Sequence, residues 1–193
     1  MEYKRINVVE GPACDISEYA SLENVVLGKG VRIGEGVQLK NVVIGDSTKI
    51  SVNVRFYSRD PNRPVRIGKS VWLSYGVFGE ATGGEIQIED YVTIAHATKL
   101  LTSSGPGKNN PIMDYFYPEE DGDIYIGKHS WIGTDCLILP NVRLPEGNVV
   151  GTHSFLRGSV AYKPWAVYMG IPAEFKKDLD PERIFTAKKK LGL

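Results

Sequence analysis

The chain has 193 residues, with 23 basic and 23 acidic side chains and a formal net charge of zero. That length suits one domain with a substantial core, the charge balance excludes a nucleic-acid or membrane surface built on bulk charge, and no run approaches the ~18 apolar residues of a membrane span. The opening Met1-Glu2-Tyr3-Lys4-Arg5 has no apolar signal-peptide core, and Cys14 and Cys136 lack metal-ligand spacing and read as reduced, so a cytoplasmic location is expected.

Residues 1–20 show no clear repeat and read as an N-terminal lead-in. From residue 21 a period of six appears: Leu27, Ile33 and Leu39, with Gly28 and Gly34 directly after the first two. The register slips near residues 40–44. The stretch 58–64, S-R-D-P-N-R-P, reads as an external loop. The period returns at Ile67 and Leu73, breaks briefly over 80–85, and resumes at Ile88, Ile94 and Leu100. After a long break it runs unbroken through Ile126, Ile132, Ile138, Leu144, Val150 and Leu156, with Gly127, Gly133 and Gly151 following three of these. Two residues before each aliphatic sits a smaller or β-branched one, such as Val25, Val31, Val37, Cys136 and Val142.

A period of six matches neither a helix at 3.6 nor a flat strand at 2. It means short strands separated by corners that turn repeatedly in one sense. Three hexads make a triangular turn of about eighteen residues, so each strand stacks on its equivalent one turn later at about 4.8 Å. The expected fold is all-β: a parallel β-helix of roughly six triangular coils over 21–163. A long external loop at 102–122 interrupts it, and a C-terminal segment over 164–193 follows. In that segment Asp180 is the expected N-cap and Pro181 the first turn of a short helix.

The long break, T-S-S-G-P-G-K-N-N-P-I-M-D-Y-F-Y-P-E-E-D-G, holds no hexad but carries Tyr115, Phe116 and Tyr117. A loop of this length inside a regular solenoid is functional or disordered, and its aromatics argue against disorder.

The most specific stretch is 130–177. S-W-I-G-T-D-C-L-I-L-P-N-V-R-L-P-E-G, followed by G-S-V-A-Y-K-P-W-A-V-Y-M-G-I-P-A-E-F-K-K, resembles the closing motifs of the hexapeptide-repeat acyltransferases. Gly158, Ser159, Val160, Lys163, Gly170, Pro172, Ala173, Lys176 and Lys177 match that pattern, whereas Glu174 replaces the lysine of the P-A-K triplet. The resemblance is to maltose, galactoside and surface-polysaccharide sugar acetyltransferases. It implies a left-handed coil, a trimer with sites between subunits, acetyl-CoA as co-substrate and a small sugar as acceptor, with no nucleic acid and no membrane insertion. Corner glycines Gly133 and Gly151 suit close approach of a pantetheine arm, and Lys163, Lys176 and Lys177 suit its phosphates as point charges.

The sequence departs from the family at the base. Acyl transfer to a hydroxyl needs a proton acceptor, and histidine is the usual one. The relevant sugar acetyltransferases carry T-A-T-H-P before the long loop; here Thr102-Ser103-Ser104-Gly105-Pro106 puts Gly105 at the histidine's place, and Ser74 replaces an asparagine. Of the three histidines, His96, on the coil before the loop, is the candidate base, and His129 or His153 could serve from a neighbouring subunit. An amine acceptor offers another solution, since it needs less help from a base and can be served by positioning and a backbone N–H over the oxyanion. Ser74, Asp114, Tyr115 and Tyr117 are the candidate acceptor contacts, with Glu119 and Glu120 nearby.

The expected function is therefore an acetyl-CoA-dependent O- or N-acetyltransferase of surface-polysaccharide or nucleotide-sugar metabolism, with no metal site. Two alternatives stand beside it. One is a non-catalytic β-helix scaffold. The other is a γ-carbonic-anhydrase-like zinc enzyme, which needs three clustered histidines; here they are 33 and 24 residues apart.

Overall fold

The computed structural model describes residues 3–192; Met1 and Glu2 of the opening stretch, and Leu193, lie outside the described residues. The chain winds through three columns of short parallel strands, visited always in the same order, which we call faces A, B and C. Face A stacks Val25, Val42, Val65, Ile86 and Ile124 in register, face B stacks Ile16, Ile33, Ile50, Leu73, Ile94, Ile132 and Val150, and face C stacks Leu22, Leu39, Phe56, Gly79, Leu100, Ile138 and Leu156. Apart from the half-buried Ile16, the aliphatics of these columns are buried and form one continuous core along the axis. Each contributes roughly 1.5–3 kcal/mol by leaving water.

Strand pairing starts at Arg5 and ends beyond the expected coil. Arg5–Glu10 pairs in parallel with Ser21–Leu27, and Asp15–Ile16 pairs with Arg32–Ile33, so the residues read as a lead-in are part of the stack. At the other end Ala166–Met169 adds a parallel strand to face B, and Glu174–Asp178 closes that sheet antiparallel.

The slip near residues 40–44 has a local cause. In the first turns Arg5 lies against Leu22 and Ser21 against Gln38, a spacing of 17 rather than 18. The strands Ser21–Leu27 and Gln38–Ile44 run straight through the corner between faces C and A, bent at one left-handed residue, Asn24 (φ 53°) or Asn41 (φ 55°). Asparagine tolerates this region better than other side-chain-bearing residues. The amides then chain along the axis: Asn7 Nδ2 donates to Asn24 Oδ1 at 3.0 Å, Asn24 Nδ2 to Asn41 Oδ1 at 2.9 Å, and the buried Asn41 Nδ2 to the Ser58 carbonyl at 2.8 Å.

All insertions leave from this C–A corner. The 58–64 loop, the 82–84 excursion and the long loop stack on one another: Arg63 pairs with Glu85 at 2.9 Å and reaches Asp123 at 3.6 Å, and the Glu85 N–H donates to Asp123 Oδ1 at 2.8 Å. The A–B and B–C corners carry no insertion and repeat with the same short turn. Within the core, Gly79 occupies a hexad slot where an aliphatic is expected, because the Phe56 ring fills the space that its Cβ would take. Cys136 is buried, its thiol facing the Gly151 carbonyl at 3.2 Å, and burial pushes its pKa up, so it is an inert packing residue.

Replacing Asn41 by alanine removes both amide hydrogen bonds and places a poor residue at positive φ. We expect a loss of ~2–3 kcal/mol in denaturant unfolding, with Asn41→Gly losing less because glycine keeps the backbone geometry. Equal losses for the two variants would show that the backbone conformation is immaterial.

Candidate active site

The B–C corner follows each face-B aliphatic. Its first residue is Ser17, Gly34, Ser51, Ser74, Ala95, Gly133 or Gly151, and each N–H from Ser17 to Gly133 donates to a carbonyl of the next rung, as in Ser74 N to the Ile94 carbonyl (2.9 Å) and Gly133 N to the Val150 carbonyl (2.8 Å). The second residue of each corner points outward, and there His96 stands. The in-register stack brings it to Ser74 one turn away: Ser74 Oγ and His96 Nε2 are 3.3 Å apart. Ser74 is buried and His96 exposed, so the imidazole presents its free edge to solvent while its other nitrogen is held from below. A histidine held this way is oriented to take a proton from a group approaching the corner.

Further along the same edge Asp135 and His153 form a second pair, His153 Nδ1 to Asp135 Oδ2 at 3.2 Å, both residues at positive φ. The edge thus reads Ser74, His96, Asp135, His153 over successive rungs. The second pair is missed when histidines are read singly. Its signal is the 18-residue separation, which places both side chains at the same corner one turn apart.

His129 lies on a different edge, the A–B corner, stacked on Tyr91 with centroids 5.0 Å apart. Among the described residues no three of His, Cys, Asp and Glu group closely enough to hold a metal ion. The coil distributes the three histidines over two corners.

Gly133 and Gly151 follow His96 along the edge. A Cβ on Gly133 would stand 2.7 Å from the Thr152 nitrogen and 2.9 Å from the Gly151 carbonyl carbon, and one on Gly151 would stand 2.7 Å from Met169 Cβ. At these two rungs a Cβ would strike the neighbouring turn, and Gly133 is itself buried in the stack.

The three candidate lysines lie around the terminal hairpin. Lys163 Nζ is 2.7 Å from Asp178 Oδ1 and 3.9 Å from the Phe175 ring centre, so it clasps the hairpin. Lys176 pairs with Glu174 at 3.3 Å, the residue that replaces the family lysine. Lys177 alone of the three has no ion pair among the described residues.

The long loop stands apart from His96 within the chain. A two-strand ribbon, Ser103–Ser104 with Glu120–Asp121, forms its base, and helix α1, Pro111–Phe116, forms its tip with Asn110 as N-cap. Ser103 Oγ donates to Glu119 Oε1 at 2.7 Å, and a Cβ on Gly105 would meet the Glu119 Cα at 2.6 Å, so Gly105 serves ribbon packing. Asp114 is paired with Lys108 at 3.0 Å rather than free. Tyr115 and Tyr117 are 82% and 71% exposed. The loop springs from the C–A corner and His96 from the B–C corner, at opposite ends of face C. No hydrogen bond, ion pair or ring contact among the described residues joins Asp114, Tyr115 or Tyr117 to Ser74 or His96.

No helix is long and apolar enough to cross a membrane among the described residues. No protein-family model matches the chain. Curated proteins do. A dTDP-4-amino-4,6-dideoxy-D-glucose acyltransferase of Escherichia coli is 30% identical over 125 residues, which is 59% of this chain and 64% of that protein. A chloramphenicol acetyltransferase of Morganella morganii is 36% identical over 64 residues, 33% of this chain and 30% of that one. The chain thus matches less than two thirds of the length of these relatives. Among solved structures, AntD, an N-acyltransferase from Bacillus cereus in complex with dTDP and 3-hydroxybutyryl-CoA, superposes with a TM-score of 0.62 at 23% identity over 97% of this chain and 90% of that one. A maltose O-acetyltransferase from Clostridium difficile gives 0.54 at 18% identity over 79% of this chain and 68% of that one.

Gly133→Ala forces a Cβ against backbone of the next rung. It should cost ~1–3 kcal/mol in thermal unfolding, and unchanged stability would mean that the corner is looser than its geometry. The curated proteins that the chain resembles are acyltransferases, and its fold is that of the AntD N-acyltransferase and the maltose O-acetyltransferase.

Proposed function

We propose that the protein is an acyl-CoA-dependent acyltransferase, with acetyl as the acyl group, acting on an amino or hydroxyl group of a sugar carried on a nucleotide. The observation that carries this reading is the Ser74–His96 pair on the corner edge that continues past Gly133 and Gly151. The E. coli relative supports a nucleotide-sugar acceptor, and the AntD complex supports a CoA donor. The coil is taken as left-handed, on the resemblance to the hexapeptide-repeat acyltransferases.

In this mechanism the acyl donor's arm lies along the edge past Gly133 and Gly151, with Lys177 and, after release from their carboxylates, Lys163 and Lys176 near its phosphates. The acceptor's nucleophilic N–H or O–H approaches His96, whose imidazole takes the proton as the nitrogen or oxygen attacks the thioester carbonyl. Ser74 holds the ring by its Nε2. The tetrahedral intermediate then collapses, the C–S bond breaks, and the proton goes to the leaving thiolate. An amine acceptor makes lighter demands on the base than a hydroxyl does.

The reading assigns the acceptor contacts Asp114, Tyr115 and Tyr117 to the loop of a neighbouring subunit, since within one chain loop and base stand at opposite ends of face C. A homotrimer would supply that loop.

The test is a thiol-release assay with acetyl-CoA and a dTDP-amino sugar. His96→Ala should lower kcat ~10²–10⁴-fold and Ser74→Ala about tenfold, with KM for acetyl-CoA little changed. A full rate in His96→Ala together with loss in His153→Ala would move the base to the Asp135–His153 pair and contradict the assignment.

A further inference from the structure

Across face B from His96, the A–B corner carries three aromatic rings in line. Tyr91 (φ 59°), His129 (φ 59°) and Trp165 (φ 54°) all occupy the left-handed region, where the equivalent residues of other rungs are Gly30, Ser47, Ser70 and Gly147. Positive φ is the ordinary turn of this corner, shared by Ser47 and Ser70, so what sets these three positions apart is that they carry rings. The rings stack along the axis: Tyr91 on His129 at 5.0 Å and 2°, and His129 towards Trp165 at 6.4 Å and 23°. The indole reaches over Gly147, whose missing Cβ leaves it the room.

Helix α2, Pro181–Leu191, passes over this ladder and touches it through Lys188, whose Nζ lies 4.9 Å from the Trp165 ring centre. None of its residues is buried, although Phe185 and Leu191 are apolar and 70% and 68% exposed. It is held at its edges. Asp180 caps it, the Leu179 N–H donates to the Trp165 carbonyl at 2.7 Å, and Lys188 pairs with Glu146 at 2.9 Å. An 11-residue helix with no fully buried residue is marginal on its own, and this one leaves open space beneath it. That space is a cleft of about 460 Å³, whose lining includes His129, Trp165, Leu179, Asp180, Arg183, Ile184 and Lys188. Its size is that of a small-molecule site. Lys188 is already paired, but the Arg183 guanidinium has no carboxylate or hydrogen-bond partner among the described residues. The walls thus offer ring surface, aliphatic surface and one uncommitted planar cation, while the Asp180 carboxylate is occupied by the Glu182 and Arg183 backbone N–H groups.

We infer that the cleft between α2 and the Tyr91–His129–Trp165 ladder is a binding site for a nucleoside phosphate, with the base against the Trp165 and His129 rings and a phosphate on Arg183. Arginine suits phosphate through its bidentate fork, and flat bases stack on aromatic side chains without needing sequence-specific contacts. The inference does not rest on the Ser74–His96 reading and stands or falls separately. Such a ligand has two sources: the nucleotide end of a reactant, or a free nucleotide.

The probes are adenosine 3′,5′-bisphosphate and thymidine 5′-diphosphate. Their binding is followed by Trp165 fluorescence in a Trp72→Phe, Trp131→Phe background and by calorimetry on the unaltered chain. We expect saturable quenching by at least one of the two. Arg183→Gln should weaken that binding about tenfold, Trp165→Leu should weaken it in calorimetry, and Lys49→Gln on face B should leave it unchanged. Because Arg183 is on the surface, its variant folds independently of the outcome. Competition by coenzyme A assigns the site to the donor's nucleotide end, and simultaneous binding assigns it to a free nucleotide; either result supports the site. No saturable binding to about 5 mM, or binding equal in Arg183→Gln and the parent, overturns it.

Discussion

Every feature of this protein follows from the in-register stacking of its rungs. At each corner a backbone N–H donates to the carbonyl of the next turn, as in Gly11 to Leu27, Gly28 to Ile44 and Gly45 to Ile67, each at 2.8 Å. These bonds hold equivalent residues one above another at about 4.8 Å. A residue type suited to its position in one turn is therefore placed against its counterpart in the next. Aliphatics meet aliphatics in the core, Asn7, Asn24 and Asn41 link through their amides, and Gly11 lies over Gly28 where a side chain would strike backbone.

The same constraint builds the chemistry. The corners are the only places where side chains leave the coil in short, repeated, rigid turns, so the corner edges become lines of functional groups. One edge aligns Ser74, His96, Asp135 and His153, and another aligns Tyr91, His129 and Trp165. The third collects every insertion, with Arg63, Glu85 and Asp123 tying the loops together. Rigidity belongs to the first two edges and variation to the third. That division suits an enzyme whose donor lies along a fixed edge while its acceptor is chosen by a loop.

The hexad made most of the fold legible, because one aliphatic every six residues has no other simple explanation. Asp180 and Pro181 likewise marked the start of α2. What escaped was whatever departed from six. The first turns are 17 residues long because one asparagine per turn makes the C–A corner, so a search for aliphatics six apart sees a slip instead of a ladder. Gly79 breaks the count because Phe56 fills its space from the rung before. Arg5–Glu10 pairs through backbone bonds that carry no hexad signature. In the site, Ser74 and His96 were each legible as candidates, but their contact is not, since 22 residues separate them and an insertion intervenes. Lys163 read as a phosphate contact from its motif, while its partner Asp178 lies across a hairpin outside that motif.

The central claim is that acyl transfer takes place on the B–C edge at His96. A crystal structure of the protein with coenzyme A tests it most directly. The account predicts the sulfur beside His96 and Ser74, with the pantetheine arm running past Gly133 and Gly151. A sulfur at the A–B or C–A corner, out of reach of the His96 ring, would contradict it.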